Sequence, residues 1–577
     1  MSATPRDWSV QRWAHAKVVE IFGADLRSLA VFRGVLAVLV LADLANRARD
    51  LTAHYTDEGI LPRTALLGEV LNRWSFSLNL MNGEPFFQIL VFGVTALAAL
   101  GMLVGYRTRL MTAIVWIAML SIMWRNPLVS SGGDTLLVLL LFWGMFLPLG
   151  AHWSVDRMFE TEPPRLAMSF LSLATFALFM QIAFVYWFSV VLKSSPEWRT
   201  DGTALYYALN LDRIATPLGA YLAHFPTLLK VLTLGTVGLE TLGPLLLFCP
   251  FFTRFVRTGT VLVFMSFHLG IWLTMHLGMI NWVSGFCMVC FLPGWFWDVP
   301  VAKVRAALPE RFETVRQLKH LLLNLAHHRV SPLRMRLVPA GAEQPQGAGL
   351  ATQDDHNEIR RGSAHFTTFR SALTGRTPQR GALVSGRGTP TNDPPEGTGP
   401  PMLRSSLVTN LLAFFFLLYI LCWNLVTVSA LTMPVWTTPL GPFLGLQQQW
   451  NMFAPYPPTN DGWYVIPGTL RGGQHVDLRP VIGDDFRLHN LSWEKPRYVL
   501  GTYEDEHWRK YLENILSPQY TNERWYFGNY ICREWNAHHA GAEQLTSLRI
   551  IFMQETTLPD YRHSDPQKLT IWKGNCS

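Results

Sequence analysis

The stretch VYWFSVVLKSSPEWRTDGTALYYAL, residues 185–209, poses the question on which the fold turns. An uncharged apolar run ends at Lys193, and five residues later stands Trp198. A lysine at that place has two readings. It is an anchor whose stem lies in lipid while its ammonium reaches water, or it is a base held in a partly dry site. Glu197 and Asp201 follow closely and are candidate counter-charges. Traced backwards, the apolar run reaches residue 166, long enough to cross a bilayer, which takes about 20 apolar residues.

The rest of the chain has the same character. Of 577 residues, 49% are hydrophobic and only 15% are charged, where soluble proteins carry about 25% charged residues. This composition points to a membrane protein. Apolar runs at 28–46, 86–104, 109–125, 133–150, 166–192, 226–250, 257–275, 277–296 and 407–431 predict about nine transmembrane helices, an all-α polytopic membrane bundle. No cleavable signal peptide is evident, so the first run is expected to act as an uncleaved anchor.

Basic loops stay in the cytoplasm. YRTR at 106–109 and TRFVR at 253–257 fall on one side if every span is real. Segment 299–406 falls there too, and its 15 Lys/Arg against 8 Asp/Glu equal the net +7 of the whole chain. That excess is read as retention on the inner side and not as nucleic-acid binding, for which no motif is present. The N-terminus is then inside and the C-terminus outside.

The expected organisation is a cytoplasmic segment at 1–27, a transmembrane domain at 28–298 and a basic amphipathic segment at 299–337 on the inner membrane surface. A disordered linker follows at 338–406, then a last transmembrane helix at 407–431 and an extracytoplasmic α+β domain at 432–577. In that domain 463–478 reads as a hairpin turning at Gly472–Gly473, 545–554 as a strand, and 505–516 and 523–536 as helices. Cys532 and Cys576 share the oxidising side and are free to pair; the sequence does not decide it.

This topology brings the unusual polar residues to one membrane face. YTDEGILPR (55–63) carries Asp57, and WRNPLVSSGGD (124–134) carries Asn126 and Asp134. Lys193 and Trp198 follow the fifth span, and His268 lies in the seventh. Plain structural roles stand beside the functional ones. Asp134, next to two glycines, suits a helix cap, and His268 suits a buried hydrogen bond. The Cys287–Cys290 CxxC sits in an apolar helix and reads as packing. No phosphate loop, dinucleotide fingerprint or zinc-protease helix is present, and no metal site is expected.

Several of these stretches resemble the horizontally transferred transmembrane (HTTM) domain proteins, which are related to the vitamin K-dependent γ-glutamyl carboxylase. RSLAVFRGVLAVLVLADL (27–44), YTDEGILPR, RNPLVSSGGD and FLPLGAHWSVD (146–156) look like the bacterial members. QIAFVYWFSVVLKSSPEW (181–198) is similar to the carboxylase stretch around its catalytic lysine, and FHLGIW (267–272) to a carboxylase helix start. QQQWNMFAPYPPTNDGWYVIPGTL (447–470) resembles a region that accompanies the domain in bacterial proteins. The resemblance covers about residues 20–300. It implies that Lys193 deprotonates a reduced quinone, menaquinone or vitamin K hydroquinone. Reaction with O2 then generates a strong base, which removes a γ-proton from a peptide glutamate so that CO2 adds. A functional histidine of the carboxylase falls here on Gly133, beside Asp134.

Two functions are therefore expected. One is an enzyme at the outer membrane face using a lipid quinol, with Lys193 as base and Asp134, Trp198, His268, Asp57 and Asn126 as supporting or substrate-binding residues. The other is a non-catalytic binding module or scaffold presenting the C-terminal domain. Expected partners are the bilayer, a lipid quinone and a peptide or protein substrate, in a bacterial cytoplasmic membrane.

Overall fold

The computed structural model describes residues 5–160, 167–298, 403, 405–559 and 562–576. The basic segment expected at 299–337 and nearly all of the linker at 338–406 lie outside the described residues. The helices that matter here, in chain order, are α1 (Pro5–Phe22), α2 (Leu26–Arg47), α3 (Pro85–Val104), α4 (Thr108–Arg125), α5 (Gly132–Gly144) and α6 (Leu173–Leu192). They continue with α7 (Pro226–Leu247), α8 (Thr253–Thr274), α9 (Met279–Cys287), α10 (Leu407–Thr427), α11 (Glu506–Ile515) and α12 (Thr521–His538).

Seven of these are long and apolar enough to cross a membrane: α2, α3, α4, α6, α7, α8 and α10. The expected spans at 133–150 and 277–296 are shorter than the apolar runs predict. The first is helical only over Gly132–Gly144, before Pro148 and Gly150. The second is helical over Met279–Cys287 and tightens into a 3-10 turn at Met288–Phe291, before Pro293. Thirteen residues rise about 20 Å, less than a hydrocarbon core of about 30 Å. Both helices are buried in protein: every residue from Leu136 to Gly144 is buried, as is Met288–Phe291. Backbone buried in protein finds partners that lipid would not offer, so these segments need not be full-length helices.

One end of the bundle gathers the start of α2, the loop before α4 and the loop after α5. The backbone N–H groups of Arg107 and Thr108 bond Asp156 at 2.6 and 2.9 Å. Arg27 bonds Gly294 O at 3.0 Å, and Arg257 bonds Leu247 O at 2.9 Å. The starts of α6 and α10 meet there, through Leu173 N to Asn410 Oδ1 at 3.1 Å.

The opposite end is covered by the described residues of 432–577. Trp124 bonds Pro442 O at 3.0 Å, Asn514 bonds Leu128 O at 2.6 Å, and Arg213 bonds Asp461 at 2.8 Å and Glu513 at 3.0 Å. This covering part is α+β. Its main strands are β1 (Asn460–Val465), β2 (Pro467–Leu470), β3 (His475–Asp477), β4 (Leu545–Leu558) and β5 (Gln567–Asn575). The long β4 pairs antiparallel with β1, β2 and β5 along its length. The hairpin is narrower than expected. β2 pairs with β3 around the Gly472–Gly473 turn, while Trp463–Val465 belongs to β1 and pairs with β4. The helices expected at 505–516 and 523–536 are α11 and α12. A Cys532–Cys576 disulfide ties α12 to the chain just after β5.

Candidate functional site

Helix α6 starts at a capping box, where Ser172 Oγ accepts from Thr175 N at 3.1 Å and Thr175 Oγ1 accepts from Ser172 N at 3.0 Å. It stops just before Lys193, three residues ahead of Pro196, a residue type that disfavours helix in the position before it. Arg199 satisfies the freed carbonyls, bonding Lys193 O at 2.7 Å and Val190 O at 2.5 Å. The turn leaves the Lys193 side chain facing inward, with 4% of its surface exposed.

The anchor reading of Lys193 is therefore not the one the fold adopts. Its Nζ lies 2.6 Å from both carboxylate oxygens of Glu240 and 2.8 Å from Ser189 Oγ. Three acceptors match the three protons of an ammonium. The Trp198 ring faces the same nitrogen with its centroid 5.0 Å away, within cation–π range. Trp198 is itself fixed by a 2.8 Å bond from its indole N–H to Phe453 O. The counter-charge is thus Glu240 on α7, and not Glu197 or Asp201.

These groups line a cavity of about 360 Å³. Its walls are mainly apolar, from α6, α7, α8 and α9, with Met452 and Phe453 closing one side. Across it, Tyr186 OH and His268 Nε2 are 2.9 Å apart. His268 Nδ1 and Asn281 Nδ2, both buried, have no hydrogen-bond partner among the described residues. Leaving a buried polar atom unpaired costs about 1–3 kcal/mol. Both residues line the cavity, which makes these atoms candidate partners for a ligand or water.

Of the residues singled out in the sequence, the fold brings Lys193, Trp198 and His268 to this cavity. Asp134, Asn126 and Asp57 lie elsewhere at the covered end, Asp134 in the first turn of α5 and the other two in loops. Asp134 completes a capping box on α5, accepting from Ser131 N at 2.6 Å, and its other oxygen pairs with Arg47. Arg47 also holds Asp43 and Tyr55 OH, each at 2.6 Å. Asn126 caps the turn after α4 and donates to His54 O at 3.0 Å. Asp57 pairs with Arg63 at 2.7 Å. Burial alone would raise its carboxyl, but the Arg63 hydrogen bonds and charge draw it below the usual range. Gly133 has no room for the carboxylase histidine, since a Cβ there would sit 2.6 Å from Ile280 N.

Sequence reasoning misses Glu240, Ser189, Tyr186 and Asn281. Only Glu240 carries a readable signal, as a lone acid inside the apolar run LTLGTVGLETLGPLLL (232–247); an ionisable group at that depth is a functional candidate by default. Pro244, four residues further on inside α7, lacks the N–H that would bond the Glu240 carbonyl.

No curated protein and no solved structure matches the chain. The family model of the HTTM domain matches residues 23–295, a membrane domain that includes α2 to α9 and every cavity residue named here except Met452 and Phe453.

Proposed function

We propose that this protein is a nine-pass membrane enzyme that admits a lipid quinol to the cavity and uses Lys193 to accept the proton of its hydroxyl. The observation that carries the reading is a buried Lys193–Glu240 pair beside two unpartnered polar atoms in an otherwise apolar cavity. A buried ion pair is weak evidence for stability, because desolvation offsets most of the attraction. A site for an amphipathic ligand accounts for it better.

The cavity suits a quinol head. Its volume lies at the small end of ligand pockets, about 300–1,000 Å³. Apolar walls receive the ring, and His268 Nδ1 and Asn281 Nδ2 are available to its oxygens. A reduced quinone such as menaquinol or vitamin K hydroquinone supplies an ionisable hydroxyl and electrons for O2. CO2 and a peptide glutamate are the co-substrates in the carboxylase that the sequence resembles.

The protein's part is proton handling and placement. Lys193 hands one proton to Glu240 across 2.6 Å, which leaves Nζ with a lone pair. Nζ then takes the substrate proton, and the pair returns its extra proton to water after product leaves. Ser189 and Trp198 keep Nζ aimed. The Tyr186–His268 pair orients the opposite edge of the ring.

Nine passes are supported by α5 and α9, which start side by side at the covered end, where Gly133 meets Ile280, and lead to the opposite end, where Arg33 bonds Leu149 O and Arg27 bonds Gly294 O. The positions of Arg107, Arg109, Arg254 and Arg257 support a cytoplasmic assignment for one end. The Cys532–Cys576 disulfide suits an oxidising space outside a bacterial cytoplasmic membrane at the other.

The test is equilibrium binding of labelled menaquinone to the full chain in nanodiscs. Wild type is expected to bind at one site, and Ser284→Phe, which fills the cavity, is expected to lose binding while remaining folded. Equal binding by both would favour the alternative of a non-catalytic scaffold presenting residues 432–577.

A further inference from the structure

A second cluster lies at the covered end, away from the cavity. Asp50 is the N-cap of the short helix Leu51–Tyr55, His54 lies within that helix, and Asp505 is the N-cap of α11. One ligand atom from each lies within 4.8 Å of the others. His54 is 1% exposed, and neither of its ring nitrogens has a partner among the described residues. Asp50 Oδ2 is buried and unpartnered as well. A buried imidazole with both nitrogens idle costs free energy unless something fills the gap.

The surroundings resemble the outer hydrogen bonds that hold metal ligands in place. Trp508 Nε1 donates to Asp50 Oδ1 at 3.0 Å, leaving Oδ2 free. Asp505 Oδ1 accepts from Trp508 N at 2.8 Å, and Oδ2 lies 3.0 Å from His507 Nδ1. The Trp508 ring lies against His54, centroids 4.4 Å apart, and fixes its plane.

We infer that Asp50, His54 and Asp505 form a divalent metal site of the zinc class, which clips the loop after α2 to the start of α11. Two carboxylates and one imidazole are a fitting donor set for such an ion, with a fourth position open to water. Bonds of about 2.1 Å place tetrahedral ligands about 3.4 Å apart, so side-chain closure of about an ångström completes the site. The other carboxylate cluster, Asp212, Asp461 and Glu555, differs in kind: Lys495 pairs with Asp212 at 2.5 Å and also with Glu555.

The test is metal content of the full chain in detergent, stripped with chelator and reloaded with Zn²⁺ alone. Wild type is expected to retain about one equivalent per chain. His54→Gln and Asp505→Asn are expected to weaken binding at least about tenfold, and Asp212→Asn to leave it unchanged. Co²⁺ substituted into wild type is expected to give a visible d–d band that His54→Gln lacks. Folded wild type that retains no Zn²⁺ would overturn the assignment, whether or not the variants fold. So would a His54→Gln protein that binds as wild type does. Quinone binding is not a readout here, so failure of this site and failure of the cavity reading are distinguishable.

Discussion

Lys193 Nζ sits 2.6 Å from each carboxylate oxygen of Glu240, and both side chains are buried between α6 and α7. Removing one partner strands a charge where water cannot reach it. Lys193→Met and Glu240→Leu are each expected to destabilise the protein by about 3–5 kcal/mol. The double variant is expected to recover most of that loss and still lack activity. Denaturant unfolding of the three variants in detergent checks this. A double variant no more stable than either single one would show that the pair is not coupled.

Glu513 gives a pH dependence. Burial would raise its carboxyl, but Lys510, Arg509 and Arg213 outweigh burial and hold it at about 2, below the ordinary 4.5. The folded-state value is depressed, so its stabilisation is full above about pH 4.5 and is lost as pH falls toward 2. The loss is on the order of 3 kcal/mol. Because Arg213 belongs to the bundle and Glu513 to the covering part, the contact between them is expected to loosen in this window. Glu513→Gln should remove that component from a plot of unfolding midpoint against pH.

The Cys532–Cys576 disulfide closes a loop with a sequence separation of 44. Cys576→Ser is expected to cost about 2–4 kcal/mol. A cysteine introduced at Gly473, in the exposed β2–β3 turn, should react with a membrane-impermeant maleimide added to intact cells. Labelling only after lysis would reverse the proposed orientation.

Gly133 packs against the start of α9, where a Cβ would meet Ile280 N at 2.6 Å and Met279 C at 2.9 Å. Gly133→His should therefore misplace α9, which carries Asn281 and Ser284 into the cavity. The expected result is a fall in unfolding midpoint together with weaker quinone binding, and not a gain of function.

Much of this is legible in the chain. Lys193 and Trp198 lie in one short stretch, and His268 in another that shares its resemblance. Hydropathy also finds the long helices. It overextends α5 and α9 because apolar runs look alike whether they face lipid or protein. Glu240 escapes notice because a single charge changes a window average little, though it supplies the counter-charge that Glu197 and Asp201 do not. Asp134 reads in sequence as a cap before it reads as a cavity residue, and its contacts with Ser131 and Arg47 match the cap. The trio of Asp50, His54 and Asp505 joins opposite ends of the chain, so no local spacing announces it.

The most direct test follows product. Full-length protein in vesicles would receive reduced menaquinone or vitamin K, labelled O2, bicarbonate and a glutamate-containing peptide, with mass spectrometry of quinone and peptide. The account predicts labelled quinone epoxide from wild type and none from Lys193→Met, with carboxyl label on the peptide if the carboxylase chemistry is retained. Wild-type protein that binds quinone yet makes no epoxide, or a Lys193→Met protein that makes as much, would contradict the role given to Lys193.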